Sequence, residues 1–121
     1  MESNTEANTE ENQACNLADK HCVPCRGGVP ALTGAPLAAL ATQLGGGWQI
    51  VAGHHLSKTY VFKNFAAGLA FVNRLGEVAE REGHHPDIYL AWGKVRVDIW
   101  THKIDGLTES DFVLAAKIDR L

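Results

Sequence analysis

Residues 83–102 read GHHPDIYLAWGKVRVDIWTH, and this stretch decides the fold. Lys94 to Thr101 alternates with period two. Val95, Val97, Ile99 and Thr101 point one way, and Arg96, Asp98, Trp100 and His102 the other. That alternation marks a strand with one buried face. A shorter strand, Ile88–Ala91, precedes it, and Trp92-Gly93 supplies the tight turn of a hairpin. Ahead of both, Gly83 ends a helix. Pro86, with its fixed φ, biases His85 toward extended backbone and stiffens the His84-His85 pair.

Upstream of that hairpin, Asn64 caps the longest helix. Phe65, Leu69, Val72, Gly76 and Ala79 recur at helical spacing, with Leu75 and Val78 alongside. Before it, Trp48–Val51 and Leu56–Phe62 read as two strands joined by a turn at Gly53-His54-His55. Thr33 caps an earlier helix whose inner face holds Leu37, Leu40, Ala41 and Leu44, with Gly45-Gly46-Gly47 as its stop. Downstream, Thr108-Glu109-Ser110-Asp111 is a capping signal for a last helix, with Leu107 stapled onto Phe112. The order helix-strand-strand-helix-strand-strand-helix predicts an α+β fold: a four-stranded antiparallel sheet with three helices packed on one face. Such a sheet leaves exposed edges and an uncovered face, which self-association would cover.

The rest of the chain sets limits. At 121 residues, 45% hydrophobic and 21% charged, it holds one modest core. The net charge of −3 is unevenly spread. Residues 1–19 hold Glu2, Glu6, Glu10, Glu11 and Asp19 and no lysine or arginine. No basic cluster exists to neutralise a phosphate backbone, so nucleic acid is not an expected partner. No apolar run approaches the ~20 residues of a membrane span, and the acidic start is unlike a secretory signal. A cytoplasmic protein is the expectation, with its three cysteines reduced. Residues 1–30 divide into an acidic tail, expected to be disordered, and a cysteine-containing arm. Residues 31–121 form the folded domain.

The histidines are the chemistry-bearing residues. Pairing the last two strands as a hairpin brings His84 and His85 beside His102. Glu80 lies one helical turn before His84, so its carboxylate is within reach of that imidazole. Asp111 is a second candidate acid if the last helix packs nearby. Such a set suits acid–base catalysis near neutral pH, since imidazole titrates around ~6.5. It also suits zinc, although adjacent histidines on an extended backbone diverge. The bland alternative is strand-end histidines satisfied by the backbone. Trp100 shares strand parity with His102 and is the tryptophan to watch. His54-His55 reads as an exposed turn. Cys15, His21, Cys22 and Cys25 contain one half-site of a zinc knuckle without the second, so unligated thiols in a loose arm are the simpler reading.

Glu80-x-x-x-His84-His85-Pro86, followed by Lys94-Val95-x-Val97 and Thr101-His102, resembles the pterin-4a-carbinolamine dehydratase family, also known as the dimerisation cofactor of homeodomain transcription factors. The likeness covers roughly residues 30–121, and KHCVPCRGGVP resembles the lead-in of some bacterial members. It implies the α+β fold above, assembled as a homodimer or homotetramer. It also implies a hydro-lyase that dehydrates 4a-hydroxytetrahydropterin to quinonoid dihydropterin, recycling the cofactor of aromatic amino-acid hydroxylases without a cofactor of its own. The family's catalytic histidines fall on His84 and His102, and its pocket histidine on His85. The supporting acids fall on Glu80 and Asp111, and Pro86 and Trp100 join the expected substrate pocket. The competing reading is a non-catalytic dimerisation or assembly partner built on the same fold.

Overall fold

The computed structural model describes residues 16–23 and 30–121. Its elements are α1 (Gly34–Ala41), β1 (Gln49–Val51), β2 (His55–Val61), α2 (Phe65–Glu82), β3 (Asp87–Ala91), β4 (Lys94–Ile99) and α3 (Glu109–Asp119). Short 3-10 turns lie at Asn16–Asp19 and His102–Ile104. The four strands form one antiparallel sheet in the order β1-β2-β4-β3. The β3–β4 hairpin runs in register from Asp87 opposite Asp98 to Ala91 opposite Lys94. The fold class and the order of elements are those the sequence predicts.

The alternation along β4 is what seats the sheet. Val95, Val97 and Ile99 are fully buried, and they meet Leu56 of β2, Phe71, Leu75 and Val78 of α2, and Phe112, Leu114 and Ile118 of α3 in one core. Removing such a side chain from water contributes about 1.5–3 kcal/mol each. Helix α2 comes close to the sheet at Gly68, where an added Cβ would sit 3.2 Å from Leu90 Cδ1. Asn64 Oδ1 accepts the N–H of Ala67 at the start of α2, and Gly83 ends the helix with φ 66°.

Three local expectations change. The buried row of α2 is Gly68, Phe71, Leu75, Val78 and Ala79, while Phe65 and Leu69 stay 45% and 42% exposed. The helix is apolar on two adjacent faces and only one can face the sheet, a choice that periodicity does not make. Next, Thr33 stands at the start of α1 without a side-chain capping bond. Finally, the alternation along β4 stops short of His102. Thr101 forms an isolated bridge to Gly106, and His102 opens the 3-10 turn, so it no longer shares strand parity with Trp100.

The segment 16–23 is bound more firmly than a loose arm. Leu17 is 1% exposed within the core. Lys117 Nζ donates to Ala18 O at 2.8 Å, and Arg120 pairs with Asp19 at 2.8 Å. The acidic tail 1–15, including Cys15, and residues 24–29, including Cys25, lie outside the described residues.

Candidate active site

One cavity of about 390 Å³ opens at the end of the β3–β4 hairpin. Cys22, Val23, Glu82, Gly83, His84, His85, Trp100, Thr101, His102 and Lys103 line it. That size falls in the ordinary range for a small-molecule site. The hairpin brings His84, His85, Trp100 and His102 together from sequence positions 17–18 apart for the histidines. Pro86, Glu80 and Asp111 are not among the residues that line the cavity.

The carboxylate partners are distributed differently from the expectation. Glu80 Oε2 lies 2.6 Å from His85 Nε2, and both side chains are largely exposed. His84 Nε2 instead meets Asp111 Oδ1 at 2.6 Å, with Asp111 fully buried. The cause is Gly83. Its left-handed backbone ends the helical path after Glu82, so the one-turn spacing from Glu80 to His84 no longer places them on one face. His84 turns inward onto α3 and His85 turns out.

Asp111 is held from three sides. Its Oδ2 accepts the backbone N–H of Thr108 at 2.8 Å and the hydroxyl of Thr101 at 2.8 Å, and its Oδ1 takes His84. A buried carboxylate with these donors is fully satisfied, and it fixes the donating proton of neutral His84 on Nε2. The residue predicted to cap a helix thus also orients an imidazole. His102 meets no such acid among the described residues. Its ring packs edge-on against Trp100, with centroids 4.5 Å apart.

Glu82 is the acid that the sequence reading missed. Its side chain is only 3% exposed. Burial raises its pKa, but the N–H of Cys22, then Lys117 and His21, outweigh burial and hold the carboxyl below the usual range. The neighbouring Cys22 thiol goes the other way: burial, then Glu82, push it up to about 12. It donates to Ser110 O at 3.5 Å and remains a neutral thiol. Local sequence pattern gives no handle on the Glu82–Cys22 contact, because the two residues lie 60 apart. For the zinc alternative, no group of three or more metal-binding side chains converges among the described residues. Cys15 and Cys25 lie outside them.

His54 and His55 are half-buried rather than free in a turn. His54 Nε2 meets Asp105 Oδ1 at 2.7 Å, His54 Nδ1 lies 3.1 Å from His55 Nδ1, and both rings pack against Trp100. Trp100 therefore packs against three imidazoles, those of His54, His55 and His102.

Comparison with known proteins adds a family. The family described as Pterin 4 alpha carbinolamine dehydratase matches residues 30–121. A Rubrobacter xylanophilus protein with the provisional name pterin-4-alpha-carbinolamine dehydratase is 59% identical over 105 residues, covering 87% of this chain and 97% of its own. An Alkaliphilus metalliredigens protein of the same provisional name is 50% identical, covering 87% of this chain and 95% of its own. A crystal structure of a transcriptional coactivator/pterin dehydratase from Brucella melitensis superposes with a TM-score of 0.69 at 31% identity. That match covers 74% of this chain and 96% of the other.

Proposed function

The chain belongs to the pterin 4 alpha carbinolamine dehydratase family, and from that premise we propose that it is a hydro-lyase that dehydrates 4a-hydroxytetrahydropterin to quinonoid dihydropterin. The reaction removes the proton on N5, expels the C4a hydroxyl as water and leaves a C4a–N5 double bond. It therefore needs one group to protonate the leaving hydroxyl and another to take the N5 proton, with no change of oxidation state.

The observation that carries this reading is the 2.6 Å pair between His84 and the buried Asp111 at the wall of a cavity that also holds His102. Asp111 supplies a counter-charge when His84 takes up a proton, so we assign His84 as the acid toward the C4a hydroxyl. His102, which faces an aromatic ring and no carboxylate among the described residues, is the base toward N5. His85 and Trp100 shape the pocket, and Glu80 steadies His85. Recycling the pterin cofactor of aromatic amino-acid hydroxylases, in the cytoplasm, is the role this chemistry fits. A homodimer or homotetramer belongs to the same proposal, supported by the exposed Phe65 and Leu69 of α2. No helix among the described residues is long and apolar enough to cross a membrane.

The test is the ultraviolet change of freshly generated 4a-hydroxytetrahydropterin with catalytic amounts of protein. Acceleration above the spontaneous rate supports the enzyme. A spontaneous rate at saturating protein, together with capture of a stoichiometric protein partner, favours the non-catalytic assembly reading.

A further inference from the structure

The cavity has a wall that lies outside the matched residues 30–121. Cys22 and Val23 line it, and they belong to the segment 16–23. This wall is fixed at both ends of the His84–Asp111 pair. The N–H of Cys22 donates to Glu82 Oε1 at 2.8 Å, two residues before His84. The N–H of Val23 donates to Ser110 Oγ at 2.8 Å, one residue before Asp111. Leu17, buried in the core, anchors the start of the segment. The wall is thereby held in register with the catalytic floor rather than resting on the surface.

Its chemistry is uncharged. The Cys22 thiol stays protonated across neutral pH, for the reason given above. Val23, an apolar side chain lining the cavity, is 69% exposed. A reduced pterin carries its hydrogen-bonding groups on the pyrimidine edge and its variable substituent at C6, next to N5. A wall without charge offers little to the pyrimidine edge. It suits an alkyl or weakly polar substituent, and the carboxylate of Glu82, which holds the Cys22 N–H, repels an anionic one there, while Lys103 lines the cavity from the 3-10 turn His102–Ile104.

We propose that Cys22 and Val23 are specificity-determining residues that meet the C6 substituent of the reduced pterin and favour a short, uncharged chain over an anionic one. This rests on the dehydratase reading. It adds that a segment outside the matched domain selects among substrates.

The experiment compares 4a-hydroxytetrahydropterins with a methyl or a carboxyl-bearing substituent at C6, using the full chain, Val23→Ala, Val23→Lys and Cys22→Ala. Binding of stable 6-methyl-7,8-dihydropterin is measured by calorimetry alongside. Val23 is exposed and uses only its backbone to bind Ser110, so its variants keep the fold, which the melting temperature checks. The wild type should prefer the methyl substrate. Val23→Ala and Cys22→Ala should raise KM for it about tenfold or more while kcat stays within about twofold, the low end for methyl-sized losses in a pocket. Val23→Lys should shift the preference toward the anionic substrate by about tenfold. Unchanged KM and unchanged preference in all three variants, in an active wild type, overturn the inference and leave the dehydratase reading intact. A wild type that binds dihydropterin but does not dehydrate refutes the enzyme, and the binding constants of the variants then decide the wall. A wild type that does neither refutes both.

Discussion

Asp111→Asn probes the site with the least change of shape. Asp111 is fully buried and uses both carboxylate oxygens, one for Thr108 N–H and the Thr101 hydroxyl, the other for His84. An asparagine can keep its carbonyl oxygen toward Thr108 and Thr101, which preserves the helix start. Its NH2 group then faces His84 Nε2. A donor facing that nitrogen forces the imidazole proton to Nδ1 and removes the counter-charge for imidazolium. The structural cost is one exchanged hydrogen bond, about 1–3 kcal/mol. The catalytic cost is the loss of a correctly protonated acid, about 10²- to 10³-fold in kcat, or ~2.7–4 kcal/mol at 1.36 kcal/mol per decade. The assay is the dehydration rate at saturating substrate, read beside a denaturation curve at the same temperature. Asp111→Asn that stays folded with wild-type kcat would refute the argument, as would a rate that falls only in proportion to the unfolded fraction.

Other substitutions separate the neighbouring groups. Glu80→Gln should change stability by less than about 1 kcal/mol and kcat by less than about fivefold, because the Glu80–His85 pair is exposed. A larger loss would put Glu80 back in the acid's role. Leu17→Ala should lower the unfolding free energy by about 2–5 kcal/mol in a urea titration, since Leu17 sits in the core despite lying outside the matched domain. Cys22 should resist alkylation at pH 8 in the native protein and react on unfolding, followed by peptide mass spectrometry. The unfolded thiol ionises near ~8.5 while the folded one holds its proton to about 12. Folding therefore loses stability as pH rises from about 9 toward 12, and Cys22→Ala should flatten that alkaline loss.

The sheet was legible because β4 carries its own evidence. Val95, Val97 and Ile99 alternate with polar residues, and burial on one face needs no partner to be recognised. The cluster of His84, His85 and His102 followed from pairing that strand with β3. The carboxylate assignment did not follow, because it turns on one backbone angle at Gly83. A helical spacing from Glu80 extrapolates a path that the glycine ends. The exposed row on α2 escaped for a related reason: Phe65 and Leu69 are as apolar as Phe71 and Leu75, and only the sheet's position ranks them. The cysteine segment looked loose because proline and glycine surround its last two cysteines, while the short buried pair Leu17-Ala18 gave no periodicity to read. Glu82 and the His54–Asp105 contact join residues distant in sequence, and no local pattern encodes them.

The central claim is that two imidazoles share the two proton transfers of the dehydration, one giving a proton to the C4a hydroxyl and the other taking one from N5. Its most direct test is single-turnover dehydration by His84→Ala, His102→Ala and the double variant, all confirmed folded. The account predicts that each single variant loses about 10²-fold or more. It also predicts that the double variant loses little beyond the worse single one, because the two act as a unit. Full activity in either single variant would contradict it.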